Sequence, residues 1–189
     1  MRKIVEKILM VRRELCPICM ETHDVKLIET TATIVFKDTN VKYPARYYFC
    51  ERTEEYYSDE ELIRVNDCAM KNAYRKAKGL LTSDEIIAIR QKYGITQSDL
   101  CLLLGWGEKT ITRYESHQVQ DFAHDSILRK IADDPAWFLS LLDSSLRRQT
   151  INNSSKYREK AEFLFGEKYF QYRAQALSAR RFKQKKRII

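Results

Sequence analysis

The sequence predicts an α+β protein, in which a small β-rich module precedes a domain of five short helices and a basic helical extension. Three observations support this prediction. Strand-forming residues alternate within residues 26–49, apolar residues recur at helical spacing from residue 80 to residue 146, and basic and aromatic residues are interleaved after residue 154. The predicted boundaries are 1–57 for the β-rich module, 58–79 for a connecting helix and hinge, 80–146 for the helical domain and 147–189 for the extension.

The length of the chain, 189 residues, leaves room for more than the helical domain, so at least two modules are expected. No apolar run is long enough to span a bilayer. Residues 1–13 mix charged with apolar side chains and do not form the apolar centre of a signal peptide. The sequence therefore predicts a cytoplasmic protein.

The N-terminal module contains two segments that alternate in the manner of strands. These segments are centred on residues 32–36 and 43–49, and Asp38, Thr39 and Asn40 between them form a turn signal. The pattern predicts a small antiparallel sheet.

Cysteines in this module have the spacing of metal ligands. Cys16 and Cys19 form a CxxC pair, and Cys50 follows the two strand segments. A tetrahedral zinc site takes four ligands and can hold together a sheet that is too small to fold by burial alone. In a second CxxC pair, the fourth cysteine would stand at the position of Thr53.

The fourth ligand has to come from another part of the chain, and His23 and Cys68 are the candidates, because both residue types bind zinc. The pattern is also consistent with reduced, packed cysteines in a module that holds no metal. A stable disulfide is disfavoured in the cytosol. Zinc and a metal-free module therefore both stay open at this point.

A helix is predicted to connect the two modules. Ser58 is its predicted N-cap, acidic residues fill its first turn, and apolar residues continue the helical pattern toward Lys78. Gly79 follows as a hinge, which would leave each module free to bind its own partner.

Five helices are predicted in the helical domain. The first carries a capping box formed by Thr82 and Glu85, and Gly94 ends it. The last two cover residues 125–132 and 135–146, and the second of these opens with a proline in its first turn. Between them lie two short helices joined by a tight glycine turn.

These two central helices have a pattern that favours DNA binding. Thr96 is the predicted N-cap of the first, which ends at Gly105, and the second is predicted to start near Glu108. Ile111 and Tyr114 are three residues apart and face inward. The side chains left outside suit the base edges of a major groove, where Arg and Lys pair with guanine and a Thr methyl touches thymine. The candidate DNA-contacting residues are Thr96, Gln97, Lys109, Thr110, Thr112 and Arg113.

Residues 96–100 (Thr-Gln-Ser-Asp-Leu) and 110–115 (Thr-Ile-Thr-Arg-Tyr-Glu) resemble the helix-turn-helix of the Cro and phage-repressor (Xre) family. That family has a Gln early in the first helix and an Ile-Ser-Arg-Tyr-Glu-like run in the second. The resemblance implies that Gln97 contacts the DNA backbone or a base. It also implies that Lys109, Thr110 and Arg113 read bases. The alternative is a helical hairpin inside an unrelated all-α domain.

The order of the modules resembles the MqsA (YgiT-type) antitoxin family over about residues 14–145. The features that carry this resemblance are the CxxC pair of Cys16 and Cys19, Cys50 with the two glutamates at 54–55, and the repressor-type helix pair that follows. In that family an N-terminal zinc-binding domain blocks a toxin, while the C-terminal domain dimerises and binds a palindromic operator.

This resemblance has implications for individual residues. It implies that Cys16, Cys19 and Cys50 are metal ligands, whereas Thr53 departs from the four-thiolate pattern of the family. It also implies that the arginine at 113 contacts a base. Lys109 stands where the family has a base-reading Asn, so a different operator sequence is expected.

The net charge of +8 is unevenly distributed along the chain. Residues 1–79 hold 15 Lys and Arg against 13 Asp and Glu, residues 80–146 hold 6 against 10, and residues 147–189 hold 13 against 3. Attraction to phosphates supplies much of the affinity of a DNA-binding protein. Because the domain predicted to read bases is acidic, the extension is the obvious source of that attraction.

The extension interleaves aromatic with basic residues and ends in a dense cationic segment. It is too apolar for simple disorder and too short for a core of its own, so it should fold against something. Three alternatives stay open: it clamps phosphates beside the operator, it binds the toxin or a chaperone, or it is a solvated helical extension. Its candidate contacts to phosphate or partner are Arg180, Arg181, Lys183, Lys185, Lys186 and Arg187.

The leading hypothesis from the sequence is an antitoxin of a type II toxin-antitoxin system. As a homodimer it would bind operator DNA, repress its own operon and neutralise a cognate protein toxin. The alternative is a transcriptional regulator of a phage or mobile element, whose N-terminal module senses a ligand or metal and has no toxin partner. Catalysis is not expected, because no two of the three His residues have metal-ligand spacing and no nucleophile motif is present.

Overall fold

The computed structural model describes residues 7–148, residue 151 and residues 154–168, except for the side chains of residues 146–148. In this part of the chain a four-stranded antiparallel sheet is followed by seven helices, which confirms the predicted α+β class. The chain divides into two units. Unit 1 comprises Met1–Ser83 and Tyr114–Gln120, and unit 2 comprises Asp84–Arg113 and Asp121–Ile189.

Unit 1 is built on a meander of four strands in the order β1-β2-β3-β4. Their bounds are Lys7–Leu15 for β1, Thr22–Phe36 for β2, Thr39–Cys50 for β3 and Glu55–Tyr57 for β4. The antiparallel sheet predicted from the alternation in β2 and β3 is confirmed. The sequence did not predict β1, because most of its side chains are exposed and burial therefore imposes no alternation on it.

The turn between β2 and β3 is shorter and earlier than predicted. Thr39 pairs with Phe36 and Asn40 pairs with Val35, so two of the three residues assigned to the turn belong to β3. The turn consists of Lys37 and Asp38, and Lys37 has a φ of 53°, within the positive range that two-residue hairpin turns favour.

Helix α1, Glu60–Ala77, packs on β3. Its N-cap is Asp59, whose side chain accepts a hydrogen bond from a first-turn amide at 2.8 Å, so the predicted cap at Ser58 is wrong by one residue. The side chain of Asn66 donates to the backbone carbonyl of Arg46 and accepts from its amide, both at 2.8 Å. These two bonds hold α1 on the sheet.

Helices α2 to α7 follow α1 along the chain. Their bounds are Ser83–Tyr93 for α2, Gln97–Leu104 for α3, Thr110–Ser116 for α4, Phe122–Asp133 for α5, Pro135–Arg148 for α6 and residues 154–168 for α7. Helices α2 to α6 therefore lie where the five helices were predicted. Among the described residues, no helix is both long and apolar enough to cross a membrane.

Two of these helices begin at different residues from those predicted, and local hydrogen bonds explain both differences. Helix α5 starts earlier because Asp121 caps it, accepting from the amide of His124 at 2.7 Å. Helix α4 starts later, because the amide of Thr110 donates to the carbonyl of Gly107 at 2.9 Å in a preceding turn. Lys109 consequently lies in that turn and not in the helix.

Helices of unit 2 share one apolar core. The ring of Tyr93 stacks on that of Phe138 with 3.9 Å between centroids, and its hydroxyl donates to the carbonyl of Ile131 at 2.7 Å. Each fully buried aliphatic side chain contributes about 1.5–3 kcal/mol relative to an exposed one. The fully buried aliphatic residues of this core include Ile86, Ile95, Leu100, Ile111, Leu128 and Leu142.

The first part of the predicted extension packs within unit 2. In α7 the side chains of Tyr157 and Ala161 are buried, and the Tyr157 hydroxyl donates to the Asp99 carboxylate of α3 at 2.6 Å. Arg158 forms an ion pair with Asp143 of α6. The candidate contacts at 180–187 lie outside the described residues.

We expect Tyr157→Phe to lower the free energy of unfolding by about 1.5–3 kcal/mol, because it removes a hydrogen bond to a charged group. Denaturant unfolding followed by circular dichroism would measure the change. Phe163→Leu, on an exposed position of the same helix, is the control and should shift stability by less than about 0.5 kcal/mol. Equal effects of the two substitutions would contradict the assigned hydrogen bond.

Candidate metal centre and nucleic-acid interface

Three cysteines and one histidine come together in unit 1. The ligand atoms of Cys16, Cys19, His23 and Cys50 all lie within 4.8 Å of one another. Cys16 and Cys50 are completely buried and, with Val25, form the centre of the module.

Hairpin geometry builds this cluster. Cys16 directly follows β1, and its amide donates to the carbonyl of Glu21 at 3.0 Å while its carbonyl accepts from the amide of Met20 at 2.9 Å. Met20 takes a positive φ of 58°, which closes the turn. The register of β1 and β2 then sets His23 opposite Glu14, next to the cysteines.

The ring of His23 is oriented by a backbone hydrogen bond. Its Nδ1 lies 2.9 Å from the carbonyl oxygen of Asp24, and because a carbonyl can only accept, Nδ1 carries the proton. Nε2 lies 3.5 Å from Sγ of Cys50. A histidine that donates one ring N–H to a carbonyl and offers the other nitrogen to the site is arranged as a metal ligand.

Thr53, which stands where a fourth cysteine was expected, supports the thiolate of Cys50. The side-chain hydrogen bond from Thr53 is the largest cause of a shift that lowers the pKa of Cys50 to about 6. Burial acts in the opposite direction, and the amides of Thr53 and Arg52 add to the lowering. The lowered pKa of Cys50 favours the deprotonated thiolate, which is the form that binds metal ions.

The thiol of Cys16 is subject to opposing influences. Burial acts to raise its pKa, but hydrogen bonds with the backbone of Cys19 and Ile18 and with the side chain of His23 together lower that pKa. Beside it lies the buried hydroxyl of Tyr57. Burial first, and then the charge of the Cys16 thiolate, raise the pKa of Tyr57, so this hydroxyl stays a neutral donor next to the sulfur.

The donor set fits a metal ion. Ligands in a tetrahedral zinc site, with bonds of about 2.0–2.3 Å, stand roughly 3.3–3.8 Å apart, and the limit of 4.8 Å in this cluster is only about 1 Å wider. One ion bound by these four ligands would connect three segments of the chain, namely the turn after β1, the start of β2 and the end of β3. The cluster is therefore compatible with a metal site.

The structure separates the two candidates for the fourth ligand. His23 belongs to the cluster, whereas Cys68 is not part of it. Cys68 lies in α1, where its Sγ is 3.4 Å from the hydroxyl of Ser83. Spacing along the chain could not distinguish these residues, because the β1–β2 register brings His23 to the site.

The candidate DNA-contacting residues lie on and around α3 and α4. Thr96 caps α3, accepting from the amide of Asp99 at 3.1 Å, and the hydroxyl of Thr112 donates to the Gln97 side-chain oxygen at 2.9 Å. The structure thus brings Gln97 and Thr112 together. Lys109, Arg113 and Thr96 are exposed, and Thr110 is half-buried.

Buried contacts hold α4 against α3. The amide of Ile111 donates to Sγ of the buried Cys101 at 3.4 Å, and Leu100 and Leu103 are buried on the same side. Gly105 ends α3 with a φ of 69°, a left-handed conformation that glycine adopts without strain. The predicted glycine turn is confirmed at this residue.

The chain gives no match to models of protein families, to curated proteins or to solved structures. The cysteine-histidine cluster and the α3–α4 pair are therefore the features from which a function is inferred.

We expect protein purified without chelator to contain one tightly bound metal ion per chain, measured by elemental analysis. Cys50→Ser and His23→Ala should each weaken metal binding by more than the roughly 10–100-fold that the loss of an outer hydrogen-bonding partner costs. The matched control is Cys68→Ser, which should keep the metal because Cys68 bonds Ser83 instead. Retention of metal by His23→Ala and its loss by Cys68→Ser would reverse the ligand assignment.

The pKa of Cys50 makes stability depend on pH in the metal-free protein. The pKa of Cys50 is about 6 in the folded protein, below its value in the unfolded chain. The contribution of the thiolate to the free energy of unfolding is therefore complete above about pH 9 and is lost as the pH falls through about 6. Thr53→Val removes the main cause of the shift. The stability difference between wild type and Thr53→Val should therefore be largest at high pH and shrink toward pH 6.

Urea midpoints measured with chelator over this pH range would test the dependence. Thr33→Val is the control, since it makes the same chemical change at an exposed position of β2 and should shift stability equally at every pH. A constant offset for Thr53→Val would show that its hydroxyl does not act on the thiolate.

Proposed function

We propose that this protein is a DNA-binding antitoxin, which represses its own operon as a homodimer and neutralises a cognate protein toxin. The observation that carries the proposal is the pairing of α3 with α4 across a tight turn, with exposed cationic residues on and just before the second helix. In this proposal the two helices form a helix-turn-helix, and α4 is the base-reading helix.

The exposed and half-buried side chains at 109–113 have the chemistry needed for reading a major groove. Arg113 and Lys109 donate to the acceptor edge of guanine, and the methyl groups of Thr110 and Thr112 touch thymine. The bond between Thr112 and Gln97 orients both side chains before DNA arrives. In a dimer, the two α4 helices would enter half-sites about 34–36 Å apart, or a multiple of that distance.

Zinc is the metal that we propose for the cluster in unit 1. Three thiolates and an imidazole form a complete tetrahedral set, and a set without an open position is typical of structural zinc sites. The ion would hold together the small sheet, and this sheet is the module that we propose to bind the toxin. Because the helical domain carries a net negative charge, contacts to DNA phosphates would come from basic segments elsewhere in the chain, such as the extension.

We expect Arg113→Ala to weaken binding to the operator by about 1–3 kcal/mol and to leave nonspecific binding nearly unchanged. The operator is obtained by selecting duplexes from a random DNA library with the wild-type protein. Arg64→Ala changes an exposed arginine of α1 and is the control. An equal loss of specific and nonspecific binding would mean that Arg113 contacts phosphate and not bases.

Co-expression with the adjacent open reading frame tests the antitoxin part. The neighbour alone should arrest growth, and this protein should restore it. Cys50→Ser should abolish the rescue because the metal site of the toxin-binding module loses one of its four ligands, while Arg113→Ala should retain it. If the neighbour is harmless when expressed alone, the antitoxin assignment fails.

The metal cluster also favours a second function, that of a metal-responsive transcriptional regulator without a toxin partner. Under this alternative, chelation would change operator affinity reversibly, and re-addition of metal would restore it. Operator binding that is insensitive to chelator, together with a toxic neighbour, would exclude the regulator.

A further inference from the structure

Arg75 of α1 is the largest fully buried side chain in the described part of the chain, with 1% of its surface exposed. A buried guanidinium is costly unless its donors are satisfied. The partners of Arg75 are therefore informative about what its position requires, and the distant ones all belong to one segment, Tyr114–Gln120.

The donors of Arg75 reach the end of α4 and the residues after it. Nη2 donates to the backbone carbonyls of Tyr114 and Gln118, each at 2.7 Å. Nε donates to the side-chain oxygen of Gln120 at 3.0 Å, and Nη1 donates to the side-chain oxygen of Asn72 at 2.7 Å. The planar fork of an arginine can serve these directions at once, which a lysine ammonium cannot.

Helix α4 requires stabilising contacts from outside the helix. It has seven residues, fewer than two turns, and a helix this short is not stable by itself. Tyr114 lies in its last turn, where backbone carbonyls have no partner within the helix and where a positive charge is favourable. Arg75 supplies both a donor and a charge at this end.

A second contact fastens the same segment. The side chain of Gln120 is 3% exposed and donates to the carbonyl of Leu81 at 2.6 Å, beyond the end of α1. Asn72, which accepts from Arg75, also accepts from the amide of Ser83 at 3.0 Å. Tyr114–Gln120 is thus built into unit 1 through polar contacts that are all buried or half-buried.

We propose that Arg75 is a positioning residue for DNA reading: by binding the carbonyls at the end of α4, it sets the direction of the helix that presents Arg113. This inference rests on the proposed function of α4. Helix α1, which carries Arg75, is itself bonded to the sheet, because the side chain of Asn66 bonds the backbone of Arg46 in β3. Sequence selection by α4 consequently depends on a residue that itself touches no base.

The test compares Arg75→Met and Arg75→Lys with wild type on the duplex selected by wild type and on a scrambled duplex. Arg75→Met removes all the hydrogen bonds, and Arg75→Lys keeps the charge without the fork. For each variant the ratio of specific to nonspecific affinity should fall by about tenfold or more, the size of losing a base contact. Amide hydrogen exchange at 114–120 should accelerate in both.

The control is Tyr93→Phe, which removes another buried donor to a backbone carbonyl, inside unit 2. It should lower stability without changing the affinity ratio. All measurements are made at a temperature where circular dichroism shows each variant to be folded, and Arg75→Lys carries the test if Arg75→Met does not fold.

Different outcomes separate the inference from the function on which it rests. A folded Arg75 variant with an unchanged affinity ratio overturns the positioning role and leaves DNA binding intact. A fall in the ratio of equal size for Tyr93→Phe also overturns it, because general destabilisation then explains the loss. If wild type enriches no sequence from the library, the proposed function fails and the inference fails with it.

Discussion

Unit 1 depends on the two thiols buried at the centre of its sheet. Cys16 and Cys50 pack with Val25 in one buried cluster, and further buried apolar residues, Ile28, Val41 and Ala45, lie elsewhere in β2 and β3. A shared ligand for the thiols would tie the ends of β1 and β3 to the start of β2. Helix α1 is fastened to β3, so the contacts of α1 require an intact sheet.

In the proposed function, affinity for DNA and specificity for its sequence come from different parts of this chain. The helical domain presents a few exposed side chains that suit base edges, yet its overall charge is negative and it would repel phosphates at a distance. Cations are concentrated beyond residue 147. With this division, substitutions in the basic segment would alter the salt-dependent affinity for phosphates without altering which base sequence is preferred.

Helices α2 to α6 could be predicted because their apolar spacing, caps and terminal glycines are all local signals. The sequence offered His23 and Cys68 as the fourth member of the cluster but could not choose between them, since only the pairing of Glu14 with His23 distinguishes the two. Strand β1 lacks the one-sided burial that produces alternation. Arg75 resembles any basic residue near the end of a helix, and its burial depends on carbonyls about forty positions later.

The two units are interleaved along the chain, and this arrangement affects the order of folding. Unit 1 takes in Tyr114–Gln120, so it lacks part of its polar interior until synthesis has passed residue 120. By then α2 and α3, which belong to unit 2, have already been made. Domains usually fold one after the other from the N-terminus. Here unit 1 must wait for its own last segment, which is made only after α2 and α3, and a fragment cut at the end of α1 would leave the guanidinium of Arg75 without its partners at 114–120.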